Sequence, residues 1–190
     1  MTNFKEYISE EEKPDYKIFV DLDGVLCDFM KGFNELLGDE STGQTTSEYE
    51  AEHGKNSIWQ VIDPAGVEFW TGLDWMPDGK QLWTYVKSYN PTILSAPSRR
   101  KESKIGKTEW LRANLPELPN HHVQTKGKHG WDGSSKIILN SMKHLYASGP
   151  EDILIDDTPS KIDAWREKGG TGILHTSAAS SIAELKKLGL

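Results

Sequence analysis

Short apolar runs of strand length recur along this chain, at residues 17–21 (KIFVD), 92–95 (TILS), 137–140 (IILN), 153–156 (ILID) and, more weakly, 172–175 (GILH). Stretches with helical spacing of apolar residues lie between or after them, at 28–37, 104–113, 160–168 and 181–188. Strands this uniformly apolar have no face to give to water. Their alternation with helices therefore predicts an α/β domain built on a parallel sheet covered on both sides. A chain of 190 residues can close one such core and carry a small insertion.

The alternation breaks once, between about residues 37 and 83. Residues 41–57 are almost free of aliphatic side chains, and the block after them concentrates Trp59, Phe69, Trp70, Trp75 and Trp83 among Pro and Gly. In an open α/β sheet, ligands bind beyond the carboxyl ends of the strands. An insertion after the first strand-helix unit would roof that place. The expected organisation is a leader at 1–16, a core made of 17–36 and 84–190, and a small, mainly helical cap at 37–83.

Charge and cysteine content narrow the function. Lys and Arg number 22 against 29 Asp and Glu, a formal net charge of −7. That balance disfavours a nucleic-acid polymer or an anionic membrane as partner, since such binding neutralises phosphates with a cationic surplus. No apolar stretch approaches the roughly 20 residues of a membrane span, and the acidic N-terminus lacks the pattern of a secretory signal. Cytoplasmic localisation is the expectation. Cys27 is the sole cysteine, so neither an intrachain disulfide nor a cysteine-based zinc cluster can form.

The best strands end in groups suited to catalysis. The first leads into Asp21 and Asp23 of DLDGV, the second into Ser95, and the fourth into Asp156 and Asp157 of ILIDD. Parallel neighbouring strands would gather four carboxylates in one small volume. Such a cluster repels itself unless a cation or protons neutralise it, and an all-oxygen donor set suits Mg²⁺.

These residues resemble the motifs of the haloacid dehalogenase (HAD) superfamily of phosphotransferases. Asp21-Leu22-Asp23-Gly24-Val25 matches the first motif, Ser95 the second, and the Asp156-Asp157 pair the fourth. The third motif is a lone lysine, for which Lys143 fits and Lys136 is the fallback. The resemblance implies a HAD-like Rossmannoid fold and an Mg²⁺-dependent phosphatase working through an aspartyl-phosphate. Asp21 would be the nucleophile, Asp23 the acid and base, and Ser95 and Lys143 the holders of the phosphoryl oxygens. Asp21, Asp23, Asp156 and Asp157 would bind the metal.

Within the superfamily, FVDLDGVLCDF, EFWTGLDWMPDG, IILNSMK, DILIDDTPSKIDAW and GGTGILHTS are most similar to the 5'(3')-deoxyribonucleotidases. That resemblance places Phe29 in a base pocket, with Trp59, Trp70 and Trp75 of the cap as further stacking surface and Ala96 beside Ser95 at the substrate. Ala96 stands where the animal enzymes carry a second hydroxyl, so base and sugar preference do not transfer. The implied partner is a mononucleotide. A sugar phosphate and a non-catalytic binding protein of the same fold are the alternatives, and the oligomeric state, including a homodimer, stays open.

Other signals fail. Gly106-Lys107-Thr108 resembles the end of a phosphate-binding loop, but the required upstream glycine is Lys101. The basic run Arg99, Arg100, Lys101, Lys104 and Lys107 reads as a solvated helix start that could steer an anion toward Ser95. His121, His122 and His129 lack accompanying carboxylates or thiols for a metal site, and Cys27 lacks the loop of a cysteine phosphatase.

Overall fold

A computed structural model describes residues 14–41, 43–119, 121–125 and 133–190; most of the leader and His129 lie outside them. Six parallel strands form one sheet in the order β3-β4-β2-β1-β5-β6. They are β1 (Lys17–Val20), β2 (Thr92–Ser95), β3 (Val123–Gln124), β4 (Ile137–Leu139), β5 (Asp152–Asp156) and β6 (Thr171–Leu174). The helices are α1 (Phe29–Leu37), α2 (Thr46–His53), α3 (Ile58–Ile62), α4 (Gly66–Thr71), α5 (Gly79–Val86), α6 (Lys101–Asn114), α7 (Pro159–Glu167) and α8 (Ala178–Lys187).

Two buried clusters show why the strands are apolar throughout. Ile18 and Val20 of β1, Ile93 of β2, and Ile153 and Ile155 of β5 join Leu111 of α6 and Leu185 of α8 on one face. The alternate residues Phe19, Leu94, Ile138 and Leu154 meet Ile162 and Trp165 of α7 on the other. The two-residue period of a strand thus feeds two cores, and helices cover both faces as expected.

The central position of β1 fixes where a site can form. Val20 pairs with Ile93 of β2 on one side and Ile155 of β5 on the other. Successive connections run outward from β1 through β2, then return to its opposite flank at β5. The carboxyl end of β1 is therefore the topological switch point, where a crevice opens between diverging connections.

The segment between α1 and β2 is helical. Asp28 caps α1 by accepting from the Lys31 amide at 2.9 Å, and Gly38, at φ 57°, ends it. Residues 41–57, read as a polar loop, contain α2, which starts at a reciprocal capping box between Thr45 and Glu48. The short helices α3 and α4 follow, and α4 packs on α6. α5 begins inside the interval read as cap and packs on α8. The edge strand β3, only two residues long, has no counterpart in the sequence pattern.

Candidate active site

Asp21 follows β1, Ser95 ends β2 and Asp156 ends β5, so the sheet register brings three polar groups together at the switch point. The Asp21 amide donates to the Ile155 carbonyl at 2.9 Å, extending the β1–β5 ladder by one residue and fixing Asp21 beside Asp156. Lys143 arrives from beyond β4. Asn140 accepts from the Met142 amide at 2.8 Å, turning the chain into the short 3-10 helix that Lys143 opens. Its ammonium lies 2.7 Å from Asp21 Oδ1 and 2.6 Å from Asp156 Oδ2. Lys136 is remote from this cluster: it stands before β4, at the opposite end of the sheet, and its ammonium donates to the Asn90 carbonyl.

The turn after β1 is shaped for close approach. Gly24 has φ 73°, the left-handed region that disfavours side chains, and a Cβ there would lie 2.1 Å from Asp157 Oδ2. Glycine at this position lets the Asp157 carboxylate come down on the loop that carries Asp21 and Asp23. One oxygen from each of Asp21, Asp156 and Asp157 lies within 4.8 Å of the others, an all-carboxylate set of the kind that holds Mg²⁺.

Burial makes this cluster electrostatically tense. Desolvation, with the charges of Asp156 and Asp23 adding to it, pushes Asp21 up to about 7 against the opposing pull of Lys143. Asp157 is raised by partial desolvation and then by Asp156. Desolvation on its own would lower Lys143, but the carboxylates of Asp21 and Asp156 outweigh it and push the ammonium up. Lys143 is therefore held charged between two acids, one of which is poised to lose its proton near neutrality.

No family model and no curated protein matches this chain. Among solved structures, a HAD-superfamily hydrolase from Ehrlichia chaffeensis aligns over 94% of this chain and 98% of its own, with 14% identity and a TM-score of 0.53. The fold is that of the HAD-superfamily hydrolases. A HAD-family hydrolase from Deinococcus radiodurans R1 aligns over 94% of this chain and 90% of its own at 18% identity and a TM-score of 0.47. A hydrolase from Streptococcus pneumoniae TIGR4 covers 92% of this chain and 98% of its own at 14% identity and a TM-score of 0.44.

Within this HAD fold, a cleft of about 330 Å³ opens over Asp21, Asp23, Lys143 and Asp157, with Phe29, Trp59, Trp70 and Ala96 along its walls. Phe29 and Trp70 have ring centroids 5.8 Å apart and planes tilted by 35°. At that spacing the two rings touch directly and form one wall. Trp70 is only 4% exposed, which leaves the half-buried Phe29 and Trp59 as the accessible aromatic surfaces. Trp75 lies elsewhere: its indole N–H donates to Asn114 at 2.8 Å, and its ring packs against Trp110. His121 and His122 sit in the approach to β3, His121 lying 3.3 Å from the Leu115 carbonyl. Among the described residues, no helix is long and apolar enough to cross a membrane.

The basic run divides. Arg99, Arg100, Lys101 and Lys104 are exposed, with Arg100 paired to Asp63, which follows α3, at 3.1 Å. Lys107 departs from the expected solvated helix face: it is 1% exposed and its ammonium points into the site. It donates to Asp23 Oδ2 and, at 3.0 Å, to Ser95 Oγ. Helical spacing carried the signal, because Ser103, Lys107, Trp110 and Leu111 share one buried stripe of α6.

Proposed function

We propose that this chain is an Mg²⁺-dependent phosphomonoesterase of the HAD superfamily that hydrolyses nucleoside monophosphates, probe substrates being 5'-deoxyribonucleotides. The observation that carries the reading is the gathering of Asp21, Asp23, Asp156, Asp157 and Lys143 at the switch point, beneath a cleft with aromatic walls. Asp21, Asp156 and the backbone carbonyl of Asp23 would hold the cation, with Asp157 acting through water. A cation held there would screen the nucleophile from the dianionic phosphate and polarise the phosphoryl oxygens.

A carboxylate oxygen of Asp21 attacks phosphorus in line with the ester oxygen. The ester P–O bond breaks, its electron pair leaves with the alkoxide, and Asp23 supplies the proton that makes the free hydroxyl. Asp23 then takes a proton from water as the water oxygen attacks the phosphorus of the aspartyl-phosphate. The bond to Asp21 breaks, inorganic phosphate forms, and both carboxyl groups return to their starting states. Ser95 and Lys143 donate to the non-bridging oxygens as charge redistributes, from positions fixed before the substrate arrives.

Phe29 and Trp59 support a base-bearing substrate, since exposed ring faces suit a planar group better than a polyol. The test is phosphate release from a panel of nucleoside monophosphates and sugar phosphates, with Mg²⁺ and with EDTA. Preference for mononucleotides, abolished by EDTA, is expected. Faster turnover of sugar phosphates would overturn the substrate assignment, and EDTA-resistant activity the metal dependence.

A further inference from the structure

α6 is the element through which the core meets the inserted helices, and Lys107 is the charged residue it sends into the site. A Cβ on Gly106 would come within 2.4 Å of Trp70 Cβ and 3.0 Å of the Val67 carbonyl. The missing side chain lets α6 press against α4. One residue later, the Lys107 ammonium lies 5.0 Å from the Trp70 ring centroid while bonding Asp23 and Ser95. Three groups from three elements thus converge on one buried cation: the carboxylate of the β1 loop, the hydroxyl ending β2 and the indole of α4.

An ammonium has donors and no acceptor. Ser95 Oγ must therefore accept from Lys107, and the serine O–H is directed to another acceptor. Asp23 is fixed from two sides, with Oδ2 on Lys107 and Oδ1 facing the Cys27 thiol at 3.5 Å. Oδ2 is held by the charged ammonium and Oδ1 only by the weak thiol donor, so Oδ1 is the oxygen better able to exchange a proton with the leaving group.

We infer that Lys107 is a positioning residue of the reaction: it orients the Asp23 carboxyl toward the leaving oxygen and the Ser95 hydroxyl toward the phosphoryl group, and it ties both to the inserted helices through Trp70. The inference rests on the phosphomonoesterase reading, in which Asp23 and Ser95 carry those tasks. Lys107 also adds a second buried ammonium, beside Lys143, to the carboxylates gathered at the site.

The experiment compares two leaving groups in Lys107→Met and Lys107→Gln. An alkoxide leaving from a deoxynucleoside 5'-phosphate needs a proton, whereas p-nitrophenolate leaves without one. A misdirected Asp23 should cost the nucleotide reaction about 10²-fold in kcat/KM, which reads only the steps up to departure of the leaving group, within the range of acid-base contributions. The kcat/KM for p-nitrophenyl phosphate should fall by less than about 10-fold, because forming the aspartyl-phosphate from it needs no proton from Asp23. A merely structural lysine would reduce both reactions equally. Equal losses, or no loss on nucleotide, overturn the inference while leaving the wild-type activity intact. A wild-type protein that releases phosphate from neither substrate removes the reading on which the inference rests, and the inference with it. Thermal melts of both variants check folding, and the leaving-group ratio is taken from whichever melts within a few degrees of wild type; if neither does, the lysine is a folding residue and the inference is overturned.

Discussion

Gly24→Ala separates backbone fit from metal chemistry at one position. The new methyl group meets Asp157 Oδ2 at 2.1 Å, and since side-chain carbons essentially never come closer than 3.0 Å, the carboxylate must withdraw by about 1 Å. Asp157 is exposed and can rotate away, so the steric cost is met by loss of its place in the cluster. The backbone cost of a side chain at φ 73° adds about 1–2 kcal/mol. For a chain of this size that corresponds to a melting-temperature loss of about 2–8 °C. Displacing a carboxylate that acts on the metal through water is expected to weaken Mg²⁺ binding by about 10–100-fold. Calorimetric titration with Mg²⁺ and thermal melting read the two effects apart. Because both changes act through the same carboxylate, Gly24→Ala combined with Asp157→Asn should bind Mg²⁺ little worse than either single variant. Unchanged Mg²⁺ affinity in Gly24→Ala, or losses that multiply in the double variant, would refute the reasoning.

Other consequences follow from charge and placement. Mg²⁺ binding requires the Asp21 carboxylate, and in the metal-free protein that group titrates near 7; affinity should rise with pH up to about 7 and then level off, with proton release on binding measurable by titration in buffers of different ionisation enthalpy. For the same reason the metal-free fold loses stability as pH rises from about 4 through about 7, because the raised pKa favours the protonated folded state below that window. Asp21→Asn should flatten this part of the melting-temperature profile, and an unchanged slope would contradict it. Trp59→Ala should raise KM for mononucleotides and, because the ring also packs against the core, lower the melting temperature by a few degrees. Trp75→Phe should leave KM alone and cost about 1 kcal/mol through its lost bond to Asn114, seen as a lower melting temperature.

The sheet and its acidic end were legible because both depend on local pattern. The runs at 17–21 and 153–156 are apolar on every residue facing either core, and the sharp change to Asp marks where each strand leaves it. Lys143 was legible only through a resemblance, since nothing in IILNSMK itself distinguishes a buried ammonium from a solvated one. The helix α2 was missed for lack of an apolar stripe; it buries no side chain, and its legible sign was the Thr45–Glu48 capping box. Lys107 was hidden by its neighbours. Four exposed cations precede it, and its burial depends on α6 meeting α4, a contact between segments far apart in sequence. The Gly106 gap and the Ser103–Trp110 spacing were the available traces. Trp75, which the resemblance offers as stacking surface, packs against Trp110 instead, a contact between distant segments that no local pattern shows.

The central claim is that Asp21 is phosphorylated during turnover. Rapid mixing of the protein with Mg²⁺ and a deoxynucleoside monophosphate, followed by acid quench, borohydride reduction and peptide mass spectrometry, reads that bond directly. The reduced form of an acyl phosphate should appear at position 21 during turnover and be absent with EDTA. Steady-state phosphate release with no modification at Asp21, or release that survives in Asp21→Asn, would contradict the account.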